Sequence, residues 1–349
     1  FRRVHFRSKK MIQVGTGGFG TYWLQTIIPR VDSFARLVAA VDVNETALKN
    51  AEVIGGLPKE KCYTDLRQAL KENKADFVNV VVPPEYHEAV IDTALEAGLD
   101  ILCEKPLGND MEACVRIRNK VKAAGKKLAV TMSHRFEVEK QTVEALVKSG
   151  VYGEIDYIVS RLVMAGNKEI RREDRAETLV SGALIHNLDT IRGICGCNAK
   201  TVYANCRIGG PSNAPSGLVI LEMENGVRAV LEESFANGVN HDGWSDEYLR
   251  VECREAAIEA DHKMVTVKSD KGYPMPVTAR IPLIESEYWD HALILSHFVK
   301  WLEGGKKPAT EAEDNLQCCA LVFAAIESIQ SGKAVDVQDF YRHYTQELR

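Results

Sequence analysis

Ile12-Gln13-Val14-Gly15-Thr16-Gly17-Gly18-Phe19-Gly20 is the stretch on which the fold turns. A short apolar run, Met11–Val14, stops at Gly15, and a helical pattern over Phe19–Ile28 follows it. Gly15, Gly17 and Gly20 have the spacing G-x-G-x-x-G between a predicted strand and a predicted helix, which is the context that gives the motif meaning. Gly15 suits a tight turn, Gly17 a close approach of backbone to a pyrophosphate, and Gly20 close helix–strand packing. The helix N-terminus then presents N–H groups and the positive end of its dipole to phosphate. Working outward, Leu37–Val43 is a second apolar run, and Asp42 lies 22 residues after Gly20. That spacing suits a carboxylate accepting from ribose hydroxyls. Asp42 repels a 2′-phosphate and Val43-Asn44 offers no cation, so NAD is expected over NADP; the plainer role for Asp42 is a helix N-cap.

Further apolar runs at Phe77–Val82, Ile101–Cys103 and Leu128–Thr131 alternate with helical stretches at Asn44–Ala51, Asp65–Glu72, Glu85–Ala97 and Asp110–Ala124. Continuous apolar runs suit strands buried on both faces, so residues 10–131 are expected to form a doubly wound parallel sheet with helices on both sides. The pattern changes after about residue 150. Strands are expected at 155–164, 199–207, 217–224, 227–235, 248–253, 256–260 and 263–268, with Asn225-Gly226 as a hairpin turn and a helix at 183–195. Long helices follow at 287–303 and 311–330, with Trp289 read as core. Residues 132–337 are therefore expected to form a C-terminal α/β domain with an open, mainly antiparallel sheet. Residues 1–9, rich in Arg and Lys, are read as an extension outside the fold.

The 349-residue chain carries 44 Lys plus Arg against 49 Asp plus Glu, a formal charge of −5. That balance disfavours a nucleic-acid binder. No apolar run approaches the about 18–20 residues of a membrane span. Nine cysteines without a C-x-x-C pair are read as free thiols in a reducing compartment, so a cytoplasmic location is expected. No His/Cys/Asp/Glu cluster has metal-ligand spacing, and no metal is expected.

Several further stretches share one pattern. Val80-Val81-Val82-Pro83-Pro84-Glu85-Tyr86-His87 reads as strand end, turn and helix start; Glu104-Lys105-Pro106 follows a strand directly. With His134-Arg135-Phe136, Ser149–Ile155, His186 with Asp189 and Gly196, and Thr310–Asp314, the chain resembles the glucose–fructose oxidoreductase/inositol dehydrogenase (Gfo/Idh/MocA) family over roughly residues 10–337. The resemblance implies a Rossmann domain holding NAD(P) and a C-terminal domain whose open sheet pairs subunits into a homodimer or homotetramer. It also implies a dehydrogenase acting on CH–OH donors, oxidising a secondary alcohol of a sugar, polyol or cyclitol. The expected cofactor contacts are Gly15, Thr16, Gly17, Gly18, Phe19, Gly20, Asp42, Val82, Pro83, His87, Glu104 and Lys105. For His87 a surface position is the competing reading.

Lys105 sits just past a strand C-terminus, where open parallel sheets bind ligands; its ammonium suits a developing alkoxide. His186 is read near the start of its helix, off the apolar stripe of Leu184, Leu188, Ile191 and Cys195. A helix N-terminus disfavours imidazolium, so His186 is the expected general acid/base, with Asp189 one turn on to orient it. Arg135 and Asp189 are candidate substrate contacts; for Arg135 an ion pair at a domain interface is equally open. One departure stands out. Where many relatives carry an acid four residues before this His, the chain has Gly182. The charged stretch 168–177, with Asp174 and Glu177, is read as an exposed loop or as the substitute source of that acid. Two other functions use the same residues: an NAD-dependent glycosidase working by transient oxidation, and a non-catalytic NAD-binding sensor.

Overall fold

The computed structural model describes residues 8–165, 179–208, 215–270, 275 and 277–347. The charged stretch 168–177 and most of the basic extension lie outside the described residues. The chain divides into two compact units. The first takes in the chain up to Met132 and a returning segment, His291–Leu316; the second takes in Ser133–Asp290 and Gln317–Glu347. A single continuous domain over 132–337 is therefore corrected: residues 291–316 go back to the first unit, and a further helix, Val337–Glu347, belongs to the second.

The first unit holds a six-stranded sheet of β1 (Lys9–Val14), β2 (Ala35–Val41), β3 (Cys62–Tyr63), β4 (Phe77–Val80), β5 (Asp100–Cys103) and β6 (Leu128–Val130). Their order is β3-β2-β1-β4-β5-β6 and each pairing is parallel. This is the doubly wound arrangement, and its strand order reverses between β1 and β4. Lys9 pairs with Ala35, so the sheet begins inside the stretch read as an extension. Met11, Ile12, Phe77, Val78, Ile101 and Leu102 are fully buried, as strands covered by helices on both faces require. Three of the helices start where short polar side chains cap them. Asn44 Oδ1 accepts from Thr46 N at 2.9 Å, Asp65 Oδ1 from Gln68 N at 2.7 Å, and Asp110 Oδ1 from Ala113 N at 2.7 Å. The helical segment after β1 runs through Gly18–Tyr22, a π-helical stretch Trp23–Ile27 and Ile28–Val31; its N-cap is Gly17, and no side chain caps it.

The second unit holds β7 (Ile155–Ala165), β8 (Ala199–Ile208), β9 (Pro215–Met223), β10 (Arg228–Asn237), β11 (Tyr248–Cys253), β12 (Ala257–Asp261), β13 (Met264–Ser269), β14 (Val277–Ile281) and β15 (Val335–Asp336). They form one sheet in the order β14-β13-β12-β11-β7-β10-β9-β8-β15. Only β10 with β7 is parallel; the other pairings are antiparallel. Asn225-Gly226 makes the β9–β10 turn, with Gly226 at φ +86°. One face is covered by helices, among them Ile185–Cys195 and the long helix whose Ser328 Oγ accepts from Ala204 N at 2.9 Å. On β9 the alternate residues Leu218 and Ile220 stay more than half exposed.

Candidate functional site

The glycine turn crosses the point where the first unit's strand order reverses. Gly15 has φ +98°, and a Cβ there would lie 2.1 Å from the Val81 carbonyl oxygen, just past β4. A Cβ on Gly20 would meet the Gly15 oxygen at 2.3 Å. Both glycines are demanded by the chain's own packing. Gly17 differs: its φ is −84° and a Cβ would meet only Ala47 Cβ, at 3.5 Å. Gly18 and Phe19 are exposed beside it, and Thr16 is buried. A glycine with no internal reason for lacking a side chain, at an uncapped helix start, fits a cradle for a phosphate group.

Asp42 holds this cradle from below. Its Oδ2 accepts from Thr16 N at 2.8 Å, Thr16 Oγ1 at 3.2 Å and Gly17 N at 3.3 Å, while Oδ1 accepts from Asn44 N at 2.9 Å. The helix cap is Asn44, so a purely capping role for Asp42 is corrected. Its carboxylate is half-exposed at the end of β2, where a ribose hydroxyl can reach it.

Lys105 follows β5, half-buried, with the Lys105–Pro106 peptide cis. Glu104 before it is buried. Its Oε1 accepts from Trp23 Nε1 at 2.8 Å and lies 3.5 Å from His291 Nε2. Burial pushes this carboxyl up, but His291 and Trp23 outweigh it and hold Glu104 below its ordinary range. Glu104 thus anchors the Lys105 turn to the helix after β1. His87 braces the same turn. It is fully buried, which corrects the surface reading. Its Nε2 lies 2.8 Å from Val82 O and its Nδ1 3.2 Å from Leu107 O. Burial pulls His87 below its ordinary value, and a neutral ring has a single N–H: with Nε2 donating to Val82 O, Nδ1 is the acceptor and faces Cys103 Sγ at 3.3 Å. Val82 is half-buried and Pro83 exposed at the end of β4, and Val82 Cγ1 would lie 3.2 Å from a Cβ on Gly15. Gly15, Val82, His87, Glu104 and Lys105 are therefore brought together, all on the C-terminal side of the parallel strands. Trp23 and His291 are supports that sequence reading missed. The cue for His291 was its place at the start of a helix, Asp290–Leu302; neighbouring Trp289, read as core, is 41% exposed.

The second unit carries His186. The helix Ile185–Cys195 is buried nearly all round, including His186, Asn187, Asp189 and Arg192, so His186 does not sit on an exposed face. It is also not in a first helical turn, because a π-helical stretch, Val180–Leu184, precedes it. His186 is therefore not at the helix N-terminus where the sequence reading put it, and the helix dipole does not act on its ring there. The ring instead stacks on His134, centroids 3.7 Å apart and planes within 6°. Trp244 stands edge-on to both rings, at 5.1 and 5.9 Å. His134 Nδ1 is hydrogen-bonded to Glu247 Oε1, and Lys140 Nζ lies 3.0 Å from Glu247 Oε2. Burial would push Glu247 up, yet His134 and Lys140 hold it far below the usual carboxylate range. Asp189 faces two guanidiniums, Arg192 at 3.3 Å and Arg135 at 3.4 Å. Arg135 lies over Gly193, where a Cβ would meet its Nη2 at 2.4 Å. A Cβ on Gly182 would meet none of the described residues within 4 Å.

His134, Lys140, Trp244 and Glu247 escaped the sequence reading as a group; only His134 lay in a motif already noted. Among the described residues no three or more His, Cys, Asp or Glu form a metal-binding group, and no helix is long and apolar enough to cross a membrane.

Comparisons with known proteins agree with this architecture. Residues 9–132 match the model of the oxidoreductase family with an NAD-binding Rossmann fold, GFO_IDH_MocA, and residues 141–259 match the GFO/IDH/MocA C-terminal domain. The chain is 35% identical to the uncharacterized protein y4oX of Sinorhizobium fredii, covering 96% of this chain and 97% of that one. It is 30% identical to an inositol 2-dehydrogenase of Corynebacterium glutamicum over 65% of this chain and 67% of the relative. An oxidoreductase from Agrobacterium radiobacter, crystallised with NAD+, L-tartaric acid and magnesium, has the same fold, with a TM-score of 0.80 at 20% identity over 95% of this chain and 99% of the other. With its parallel sheet, its glycine cradle and both domain matches, the chain belongs to the GFO/IDH/MocA family of NAD-binding oxidoreductases.

Proposed function

We propose that the protein is an NAD-dependent dehydrogenase that moves a hydride between a secondary alcohol of a sugar, polyol or cyclitol and the nicotinamide. The observation that carries this reading is the bracing of Lys105. Three side chains of the first unit, Trp23, Glu104 and His87, fix the turn that bears its ammonium, at the sheet end where ligands bind. A solvated lysine at a strand end needs no such support.

When bound, the nicotinamide supplies the hydride acceptor. The Gly18 and Phe19 amides, beside the bare Cα of Gly17, would hold the pyrophosphate, and Asp42 would accept from the adenosine ribose, which favours NAD over NADP. Thr16, Gly15, Gly20, Val82 and Pro83 shape the dinucleotide's bed. Lys105 Nζ donates to the substrate oxygen and stabilises the negative charge that develops there. His186, in the second unit, takes the hydroxyl proton as an imidazole. Asp189 and Arg135 keep the His186 helix in place and are assigned supporting positions. The exposed Leu218 and Ile220 support pairing of the second unit's sheet with another copy of this chain. Nine cysteines outside any disulfide support a reducing, cytoplasmic location.

The test is an absorbance screen for NADH over a panel of sugars, polyols and cyclitols, with NAD and NADP supplied separately. Stoichiometric NADH from one class supports the dehydrogenase. Release of sugar with no net NADH would move the protein to the glycosidase reading, and cofactor binding without any turnover to the sensor reading.

A further inference from the structure

Trp244 is 48% exposed, although indoles are highly buried on average. It lies beside the stacked His134 and His186 rings, 5.1 and 5.9 Å from them and at 87° to both. The backbone on either side of it is tied to buried groups. Before it, Asp242 is buried; its Oδ2 accepts from Val163 N at 2.8 Å and Arg161 Nε at 3.0 Å, and its Oδ1 from Arg161 Nη2 at 2.8 Å. His241 N and Asp242 N both donate to Val163 O. After it, Lys263 Nζ donates to Ser245 O at 3.0 Å while also meeting the buried Glu139 at 3.0 Å, and Lys263 N donates to Asp246 Oδ1 at 3.0 Å. Asp246 N closes the turn on Gly243 O at 2.9 Å. Ser245 is held at φ +60°, a conformation that a non-glycine residue keeps only where its surroundings impose it. All these groups belong to the second unit. A loop so firmly tied that still leaves its indole in solvent has the form of a prearranged contact surface rather than of a loose connection.

We propose that Trp244 is a specificity-determining residue: its indole takes the C–H face of a ring-shaped substrate, a pyranose or a cyclitol, and so favours rings over open-chain polyols. The proposal rests on the reading of His186 as the acid/base and narrows the substrate class of that same site. An indole carries partial negative charge on its faces. A pyranose or cyclitol with mostly equatorial hydroxyls presents axial C–H groups on its faces, weakly positive and without hydrogen bonds to satisfy. Its hydroxyls project from the rim. Such a ring can lie against the indole and still offer a rim hydroxyl to the imidazole 5.9 Å away. An open-chain polyol has no rigid face of this kind, and flattening it against the indole freezes several rotors.

The test is fluorine NMR of the full-length protein labelled with fluorotryptophan and saturated with NADH, so that alcohols bind without being oxidised. The chain has four tryptophans, and the Trp244 signal is assigned by its loss in Trp244→Phe. The ring probes are myo-inositol and D-glucose; the open-chain probes are D-sorbitol and D-mannitol. A ring probe is expected to move the Trp244 signal at a concentration about tenfold or more below that at which either open-chain probe acts, the upper end of what an aromatic contact contributes. Ring binding, followed by calorimetry, that leaves the Trp244 signal in place would overturn the proposal. So would equal or tighter binding of the open-chain probes, or no binding of any probe. Trp244→Ala is expected to weaken ring binding about tenfold and to leave open-chain binding within about threefold. Trp244→Phe keeps an aromatic face and is expected to hold ring binding within about threefold of wild type. An unaltered ring preference in Trp244→Ala would overturn the proposal. If Trp244→Ala does not fold, the wild-type titration decides alone. NADH formed from NAD together with an unaltered ring preference in Trp244→Ala would refute the role of Trp244 and leave the dehydrogenase reading standing. Ring binding that moves the Trp244 signal, with no NADH formed from NAD, would do the reverse.

Discussion

Trp23 donates its indole N–H to Glu104 across 2.8 Å, joining the helix that follows the glycine turn to the turn that carries Lys105. The two residues lie 81 positions apart in sequence. The carboxylate is buried and charged, so each donor it keeps matters.

Trp23→Phe keeps the ring and removes the donor. A buried charged acceptor that loses a partner costs about 1–3 kcal/mol. The expected result is a lower Tm, by roughly 3–10 °C, with turnover falling further than NAD affinity. Thermal denaturation beside steady-state kinetics checks both, and an unchanged Tm would remove Glu104 as an anchor.

The two inner glycines separate packing from binding. Gly15→Ala places a Cβ against a backbone oxygen at 2.1 Å, with φ +98°, and is expected to cost about 3 kcal/mol or more. Gly17→Ala has room within the fold, so its Tm should stay close to wild type while NAD affinity drops about tenfold or more, the equivalent of about 1.4 kcal/mol. Calorimetry of both variants with and without NAD checks this. Normal NAD affinity in Gly17→Ala would place the pyrophosphate elsewhere.

Asp42→Ala removes the acceptor for Thr16 N, Gly17 N and Asn44 N as well as the proposed ribose contact. NAD affinity is expected to fall by about 5–30-fold and the preference over NADP to narrow. Titration with each dinucleotide measures it. Tighter NADP binding by the wild type would contradict the proposed role of this carboxylate.

Lys105→Ala is expected to cut turnover by about 10²–10⁴-fold, the usual worth of a positioned proton donor or charge stabiliser, while NAD binding stays within several-fold. Single-turnover kinetics with the best alcohol from the screen read this directly. Retained turnover would take Lys105 out of the chemistry.

Glu88 makes a pH-dependent contribution to stability. Hydrogen bonds from Arg116 and Lys120 hold its carboxyl down at about 2. Its folded value lies below the unfolded one, so the stabilisation is complete above about pH 4.5 and disappears as the pH falls towards 2. The site is partly solvated, which limits the effect to about 1 kcal/mol. Denaturant melts of Glu88→Gln should lie below wild type at pH 7 and converge with it near pH 2.

Much of the first unit could be read from the chain because parallel strands buried on both faces are written as unbroken apolar runs. Met11–Val14 and Phe77–Val80 are such runs, and the glycines, Asn44, Asp65 and Asp110 mark where helices begin. Strand β14 was missed because Val277–Ile281 is largely exposed and has no buried alternation to read. The surroundings of His186 were hidden for a different reason. Periodicity places a residue on a face of its own helix, but this helix is buried almost all round. The carboxylate hydrogen-bonded to His134, that of Glu247, lies 113 residues away, and no local pattern links them.

The return of His291–Leu316 to the first unit has a consequence for biosynthesis. Phe298 packs on Phe77 at 5.3 Å, Lys127 Nζ donates to Trp301 O at 2.6 Å, and Val130 N donates to Thr310 O at 2.9 Å. A nascent chain leaving the ribosome therefore carries an incomplete dinucleotide domain until residues 291–316 have been made. A fragment ending at Met132 would leave Phe77 and Glu104 facing water, and chaperones that bind apolar surface are expected to hold it.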